Sequence, residues 1–168
     1  MLQWFAKWLA RLFVNKLLPH EQIGVKGVVE VIVKDRNGKV LKRIVGHNAI
    51  VLQGKRYLLA NILNETTRYN GAYLALSSNN TTPSDNETSV PNLISAKTAT
   101  KSKQISTTPY YAQWSATWGT NEANGTTIAS VAICENNDGS GEWSRYVLSQ
   151  AINKTSEIQV EVNYQYQL

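Results

Sequence analysis

The chain opens with a segment whose apolar residues would cover most of a helical surface. Between Leu2 and Leu18 a polar residue recurs every four positions, which places these polar side chains on one narrow stripe of a helix. Pro19 then ends the helix, because it cannot continue the hydrogen-bond ladder. A helix with so little polar surface needs a partner, so we predict an amphipathic anchor helix over residues 1–19.

The large apolar side chains of this helix are the candidate anchors. They are Leu2, Trp4, Phe5, Trp8, Leu9, Leu12, Phe13 and Leu17. These side chains can pack against another protein or further copies of the chain, insert into a membrane interface, or pack on the chain's own domain. Lys7, Arg11 and Lys16 interrupt the apolar run and no small-residue cleavage site follows, so the segment matches neither a secretory signal nor a membrane span.

The remainder of the chain has the period of two that is typical of β-strands. Two β-branched runs, VKGVVEVIVKD and VLKRIV, flank Asn37-Gly38 and predict a hairpin within residues 20–48. The C-terminal run alternates strictly from Ile158 to Leu168, with Val160, Val162, Tyr164 and Tyr166 on one face. Such a strand is most stable in an antiparallel sheet with one wet face.

The segment from 49 to 168 combines one helical pattern with further strands. Apolar positions between Ala49 and Leu63 repeat with a helical period, and YLALSS, the run from Tyr110 to Trp118, and IASVAIC read as strands. Ser77 to Asn92 reads as a long surface loop. We therefore predict a mainly β fold, an antiparallel, jelly-roll-like β-sandwich with one packed helix besides the N-terminal one, divided into residues 1–19, 20–48 and 49–168.

Charge is divided unevenly along the 168 residues. Residues 1–56 contain eleven Lys and Arg against three acids, whereas residues 57–168 contain six against nine. The basic part is thus expected to make contacts, and phosphate is one ligand for such a surface. Basic residues beside a hairpin turn more often guard an exposed edge strand, so we expect no specific nucleic-acid partner.

Candidate chemistry is sparse. His20 and His47 have no nucleophile nearby in sequence, and Cys134 sits in an apolar run typical of a small buried side chain. The loop ENNDGSGE carries Glu135, Asp138 and Glu142, which can be Ca²⁺ ligands or plain hairpin-loop residues. We predict no enzyme, no metal and no cofactor.

The turns contain many Asn-x-Ser/Thr acceptors. Their asparagines are Asn64, Asn79, Asn80, Asn86, Asn124 and Asn153. In an extracellular eukaryotic or archaeal setting these are possible glycosylation sites, although Asn and Thr also suit turns without any sugar. The aromatic residues offer stacking platforms for a ligand, but Trp114 and Trp118 alternate with Ala112 and Ala116, which favours core packing.

Residues 44–168 resemble small virion structural proteins of tailed viruses. The matching order is GHNAIVLQGKRYLLANIL, then YLALSSNNTTPSDNET, WSATW and TIASVAICEN, and finally YVLSQAINKTSEIQVEVNYQYQL. The resemblance implies a non-enzymatic β-sandwich located in the virion as a tail appendage, fibre or spike base, or capsid decoration. Its expected partners are other virion proteins and further copies of itself. The alternative is a membrane-binding or pore-forming protein that uses the cationic amphipathic helix.

Overall fold

The computed structural model describes residues 25–62 and 71–167. These residues form ten strands and one helix: β1 (Lys26–Asp35), β2 (Val40–His47), β3 (Ala49–Ile50), α1 (Leu52–Ile62), β4 (Tyr73–Ser77), β5 (Leu93–Thr98), β6 (Thr100–Gln104), β7 (Tyr111–Trp118), β8 (Thr126–Cys134), β9 (Glu142–Lys154) and β10 (Ile158–Gln167). The predicted helix over residues 1–19 lies outside the described residues.

The strands form two antiparallel sheets of five. The first sheet has the order β2-β1-β10-β7-β6, and the second has the order β3-β9-β8-β4-β5. The prediction of a mainly β fold with antiparallel sheets and one packed helix is thereby confirmed. β1 pairs with β10 from Lys26↔Gln167 to Asp35↔Ile158, so the predicted hairpin belongs to the same sheet as the C-terminal strand.

One apolar core is shared by the two sheets. The alternation predicted for β10 places Val160, Val162, Tyr164 and Tyr166 inside. These side chains belong to a single cluster with residues of the second sheet, such as Leu74 and Ile133. The opposite faces of the strands are left for solvent or for covering loops.

The chain crosses between the two sheets at two edges. β2 is an edge of the first sheet and β3 an edge of the second, and only Asn48 separates them. Ala99 alone separates β5 from β6 in the same way at the other side. Strands that change sheet make the corners of a two-sheet structure and fix how the sheets face each other.

Helix α1 begins later than its apolar pattern indicates. Ala49 and Ile50 pair with Arg145 and Ser144 of β9 as a short strand, so the helix starts only at Leu52. Gly54 then faces the β9 backbone closely, because a Cβ at Gly54 would lie 2.1 Å from the carbonyl oxygen of Trp143. The glycine that weakens the helical pattern is the residue that lets the helix pack.

Candidate functional site

The candidate anchor residues are not among those that the structure describes. The candidate site is therefore sought on the surfaces of the described domain. Leu2, Trp4, Phe5, Trp8, Leu9, Leu12, Phe13 and Leu17 all precede Val25, the first described residue. Val25 leads into β1, and the β1–β2 turn lies ten residues further on, at the far end of that strand. The end of the first sheet beside Val25 and the end at the β1–β2 turn are therefore two separate surfaces.

A pair of exposed apolar side chains marks the turn end of the first sheet. Val40 and Leu41 at the start of β2 are 46% and 55% exposed, and we call this pair the hairpin patch. β2 pairs with β1 on one side and has no ladder partner on the other among the described strands. An edge strand with exposed apolar residues is suited to contact with another chain.

Three of the five basic residues that flank the hairpin turn are matched by carboxylates. Lys34 Nζ lies 2.6 Å from Glu161 Oε2. Arg36 pairs with Glu157, and Arg43 pairs with Glu30. These contacts neutralise the hairpin locally, so the positive charge counted along residues 1–56 does not gather into one bare cationic surface over this part of the chain.

A cleft of about 680 Å³ lies at the opposite end of the first sheet, beside Val25. Its lining includes His47, Asn48, Lys55 and Asp85. Lys55 is paired with Asp85 at 3.1 Å, and His47 Nδ1 lies 3.3 Å from the carbonyl oxygen of Gly27. The cleft is open to solvent. The Nδ1 atom of His47, the histidine in its lining, already has the Gly27 carbonyl oxygen as a neighbour.

The alternation with alanine correctly predicts that Trp114 and Trp118 lie in the core, and Trp143 lies there as well. Trp114, Trp118 and Trp143 are 7%, 0% and 2% exposed. Trp143 stacks on Tyr166 with ring centroids 6.3 Å apart, and Trp114 meets the same ring edge-on at 5.4 Å. Burial raises the pKa of Tyr166 above its ordinary value. These rings are closed to a ligand, while Tyr110 is exposed and Tyr111 half-buried.

The long loop between β4 and β5 covers the outer face of the second sheet through a buried ion cluster. Arg145 on β9 is fully buried, and its Nε lies 3.4 Å from Glu142 Oε1. Its Nη2 pairs with Glu87 of the loop, and its Nη1 donates to Asn79 Oδ1 and to the Thr81 carbonyl oxygen at 3.1 and 3.0 Å. Arg145 thus binds two separate parts of the loop and holds them on the sheet.

Glu142 is the unusual member of this cluster. Its side chain is fully buried, and its Oε2 has no hydrogen-bond partner. Desolvation raises the pKa of Glu142 to about 7, although the nearby Arg145 works in the opposite direction. In the sequence Glu142 ends the loop-like run ENNDGSGE, whereas in the structure it is the first residue of β9, and no sequence signal pairs it with Arg145 and Glu87.

The acids of the ENNDGSGE loop point to separate partners. Glu135 Oε1 accepts hydrogen bonds from the Trp143 indole at 2.6 Å and from the Gly71 amide at 2.8 Å. Asp138 Oδ1 accepts from the Ser140 amide at 2.9 Å. In residues 25–62 and 71–167, no group of three or more His, Cys, Asp or Glu side chains is placed to hold a metal ion.

Cys134 is buried beside this loop, as its apolar neighbourhood indicated. Its Sγ lies 3.3 Å from the carbonyl oxygen of Asn136. Burial, with smaller contributions from Glu142 and Asp138, raises the pKa of the Cys134 thiol to about 12. A thiol with that pKa stays protonated at neutral pH and is a poor nucleophile.

The acceptor asparagines differ in their surroundings. Asn79 is half-buried and accepts hydrogen bonds from Thr81 and Arg145, which ties it to the ion cluster. Asn80, Asn86, Asn124 and Asn153 are exposed, and Asn64 lies outside the described residues. Asn124 also accepts from Lys154 Nζ at 3.0 Å. Asn80 and Asn86 both lie in the covering loop.

The chain was compared with family models, curated proteins and solved structures. None of the three comparisons finds a match. Among the described helices, none combines the length and the apolar character that crossing a membrane requires.

Proposed function

We propose that this protein is a virion structural subunit, part of a tail, a spike or fibre base, or a capsid decoration, that assembles with copies of itself and other virion proteins. In this proposal the two sheets form a jelly-roll-like β-sandwich, and residues 1–19 form the anchor helix. The observation that carries the proposal is the hairpin patch, Val40 and Leu41, on the edge strand β2.

Repetitive assembly needs two different contact surfaces on each subunit. Heterologous contacts join a patch on one copy to a different patch on the next, and they generate rings or extended arrays. The hairpin patch supplies one such surface at the turn end of the first sheet. In this proposal residues 1–19 supply the second; they precede Val25 in the sequence, and Val25 leads into β1 at the other end of that sheet.

The charge pairs of the hairpin support the same proposal. Because Glu161, Glu157 and Glu30 already balance Lys34, Arg36 and Arg43, the hairpin is poorly suited to bind a phosphate backbone, and nucleic acid is not the expected neighbour. The fully buried core and the fastened loop give the rigid domain that a repeated building block requires.

Particle labelling tests the proposal. Antibodies raised against the domain should label particles released from cells that carry the gene, at regular positions on each particle. The protein should also remain with the particles through purification. Purified particles without the protein would contradict a structural role.

A truncated variant separates the virion proposal from the membrane alternative. A chain starting at Glu21 should fold and stay monomeric, because the anchor residues have been removed, whereas the full-length chain should assemble without lipid. Light scattering with and without anionic liposomes measures both. A full-length chain that stays monomeric until it floats with the vesicles would favour the membrane-binding protein instead.

A further inference from the structure

The outer face of the first sheet carries a continuous set of amide side chains. Strand register places Val28, Gln165, Gln113 and Ser102 in one cross-strand row on β1, β10, β7 and β6. The neighbouring row contains Glu30, Asn163, Ser115 and Thr100. We call these two rows the amide face. Adjacent strands are about 4.8 Å apart, so its polar groups repeat at a short, regular interval.

These side chains are held in place by hydrogen bonds to one another. Gln167 donates to Gln165 Oε1 at 2.8 Å, and Gln165 donates to Gln113 Oε1 at 2.6 Å. Gln113 then donates to Ser115 Oγ at 2.9 Å, and Ser115 donates to Asn163 Oδ1 at 2.8 Å. The chain of bonds fixes the orientation of every amide, so a ligand would meet preorganised groups.

The amide face keeps hydrogen-bonding capacity beyond these contacts. A carboxamide has two N–H donors and two acceptor lone pairs. Gln165 and Gln113 each use one donor and one acceptor in the chain of bonds, which leaves each of them a further donor and acceptor. Both residues are half-buried, and both line a groove of about 340 Å³ together with Val28, Val45, Glu30 and Asn163.

The charges on this face are already balanced. Arg43 pairs with Glu30, and Lys34 pairs with Glu161, which also accepts from Asn163 at 2.9 Å. The groove therefore favours neither a polyanion nor a polycation. Its apolar lining is limited to the valines of β1 and β2, which is less than the aromatic and aliphatic centre of a stable protein interface.

We propose that the amide face is a binding site for a neutral glycan. Sugar hydroxyls both donate and accept, as carboxamides do, and the apolar faces of sugar rings can pack on Val28 and Val45. Tyr111, half-exposed on β7 opposite Gln167, supplies an aromatic ring at one end of the face. The site is independent of the proposed virion role, because it needs only the folded domain.

Affinity electrophoresis of the full chain in gels containing dextran, mannan, galactomannan or hydroxyethyl cellulose tests the site. At least one of these neutral polysaccharides should retard the wild-type protein. The Gln113→Ala/Gln165→Ala variant should bind about tenfold or more weakly, because two orienting amides are lost. Gln165→Glu keeps the side-chain shape but removes its donors and should show the same loss. Gln150→Ala, an amide on the second sheet, is the matched control and should bind as the wild type does.

Three results would overturn the proposal. The first is no retardation of the wild-type protein in any of the four gels. The second is retardation that persists unchanged in both amide-face variants. The third is a concentration-dependent dimer of the wild-type protein that the amide-face variants abolish and Gln150→Ala does not. The last result, measured by light scattering, would show that a second copy of the chain covers this face. Circular dichroism melting confirms that each variant is folded, so a loss of binding is not a loss of structure. Particle labelling has a separate readout, so failure of the glycan site leaves the virion proposal open to its own test.

Discussion

Arg145 Nε lies 3.4 Å from Glu142 Oε1, and neither side chain is exposed to solvent. The guanidinium also binds Glu87 in the covering loop, so two carboxylates share one buried cation. Breaking such a group by removing its cation leaves uncompensated charge in a low-dielectric site, which is usually strongly destabilising. Arg145 therefore holds the loop on the sheet, and the protonation of the buried Glu142 carboxyl decides how much negative charge faces its guanidinium.

Stability should fall as pH rises through the range in which Glu142 titrates. The Glu142 carboxyl ionises near 4.5 when unfolded and near 7 when folded, so the folded state binds more protons between these values. The free energy of unfolding should therefore decrease from pH 4.5 to pH 7, by on the order of 3 kcal/mol from this group. Urea unfolding at a series of pH values measures the effect.

Glu142→Gln should flatten that pH dependence, since the amide stays neutral throughout. Glu157→Gln is the control, because Glu157 is an exposed carboxylate paired with Arg36, and the slope should be retained. Parallel curves for wild type and Glu142→Gln would show that the buried carboxyl does not hold its proton.

Gly54→Ala should destabilise the domain even though alanine is the better helix former. The intrinsic gain is about 1 kcal/mol, but the added Cβ would lie 2.1 Å from the Trp143 carbonyl oxygen and would force α1 away from β9. Overpacking of this kind costs about 1–3 kcal/mol, and more where backbone must move. Chemical denaturation compares the variant with Arg56→Ala on the exposed face of the same helix, which should stay within about 0.5 kcal/mol of wild type. A more stable Gly54→Ala variant would contradict the close packing of helix and strand.

Cys134 should resist alkylation in the folded protein. Its thiol is buried, and its pKa of about 12 leaves almost no thiolate at pH 8. Iodoacetamide followed by intact-mass measurement should add one label only after denaturation. Rapid labelling of the native protein at that pH would be inconsistent with the buried position.

The sequence predicts the strands with one buried face better than it predicts the edge strands and the strand that carries buried charges. The alternation in β10 and the Asn37-Gly38 turn identify two strands and a hairpin, because burial on one face leaves a period of two in the residues. β5 and β6 were not predicted, since LISAKT and TKSKQ form edge strands whose residues are half-buried or exposed and show no such pattern. β9 was also missed, as its buried Arg145 and Glu142 interrupt the apolar signal.

The candidate site was predicted only in part. Burial of Trp114, Trp118 and Cys134 followed from their apolar neighbours. The ion cluster was beyond prediction, because Glu87, Glu142 and Arg145 meet through the folding of a long loop over a sheet and share no local spacing. The exposure of the hairpin patch could not be predicted either. Val40 and Leu41 have the pattern of ordinary strand residues, and only the position of β2 at a sheet edge explains why they are exposed.

Light scattering of the full-length chain beside Leu41→Lys tests the assembly proposal most directly. Leu41 is 55% exposed on β2, and Ile105, 69% exposed after β6, provides the control Ile105→Lys at the other edge of the same sheet. The proposal predicts a discrete oligomer for the wild type and for Ile105→Lys, and a smaller species for Leu41→Lys, because a lysine in the hairpin patch would have to be desolvated in the contact. The same mass for all three proteins would contradict assembly through the hairpin patch.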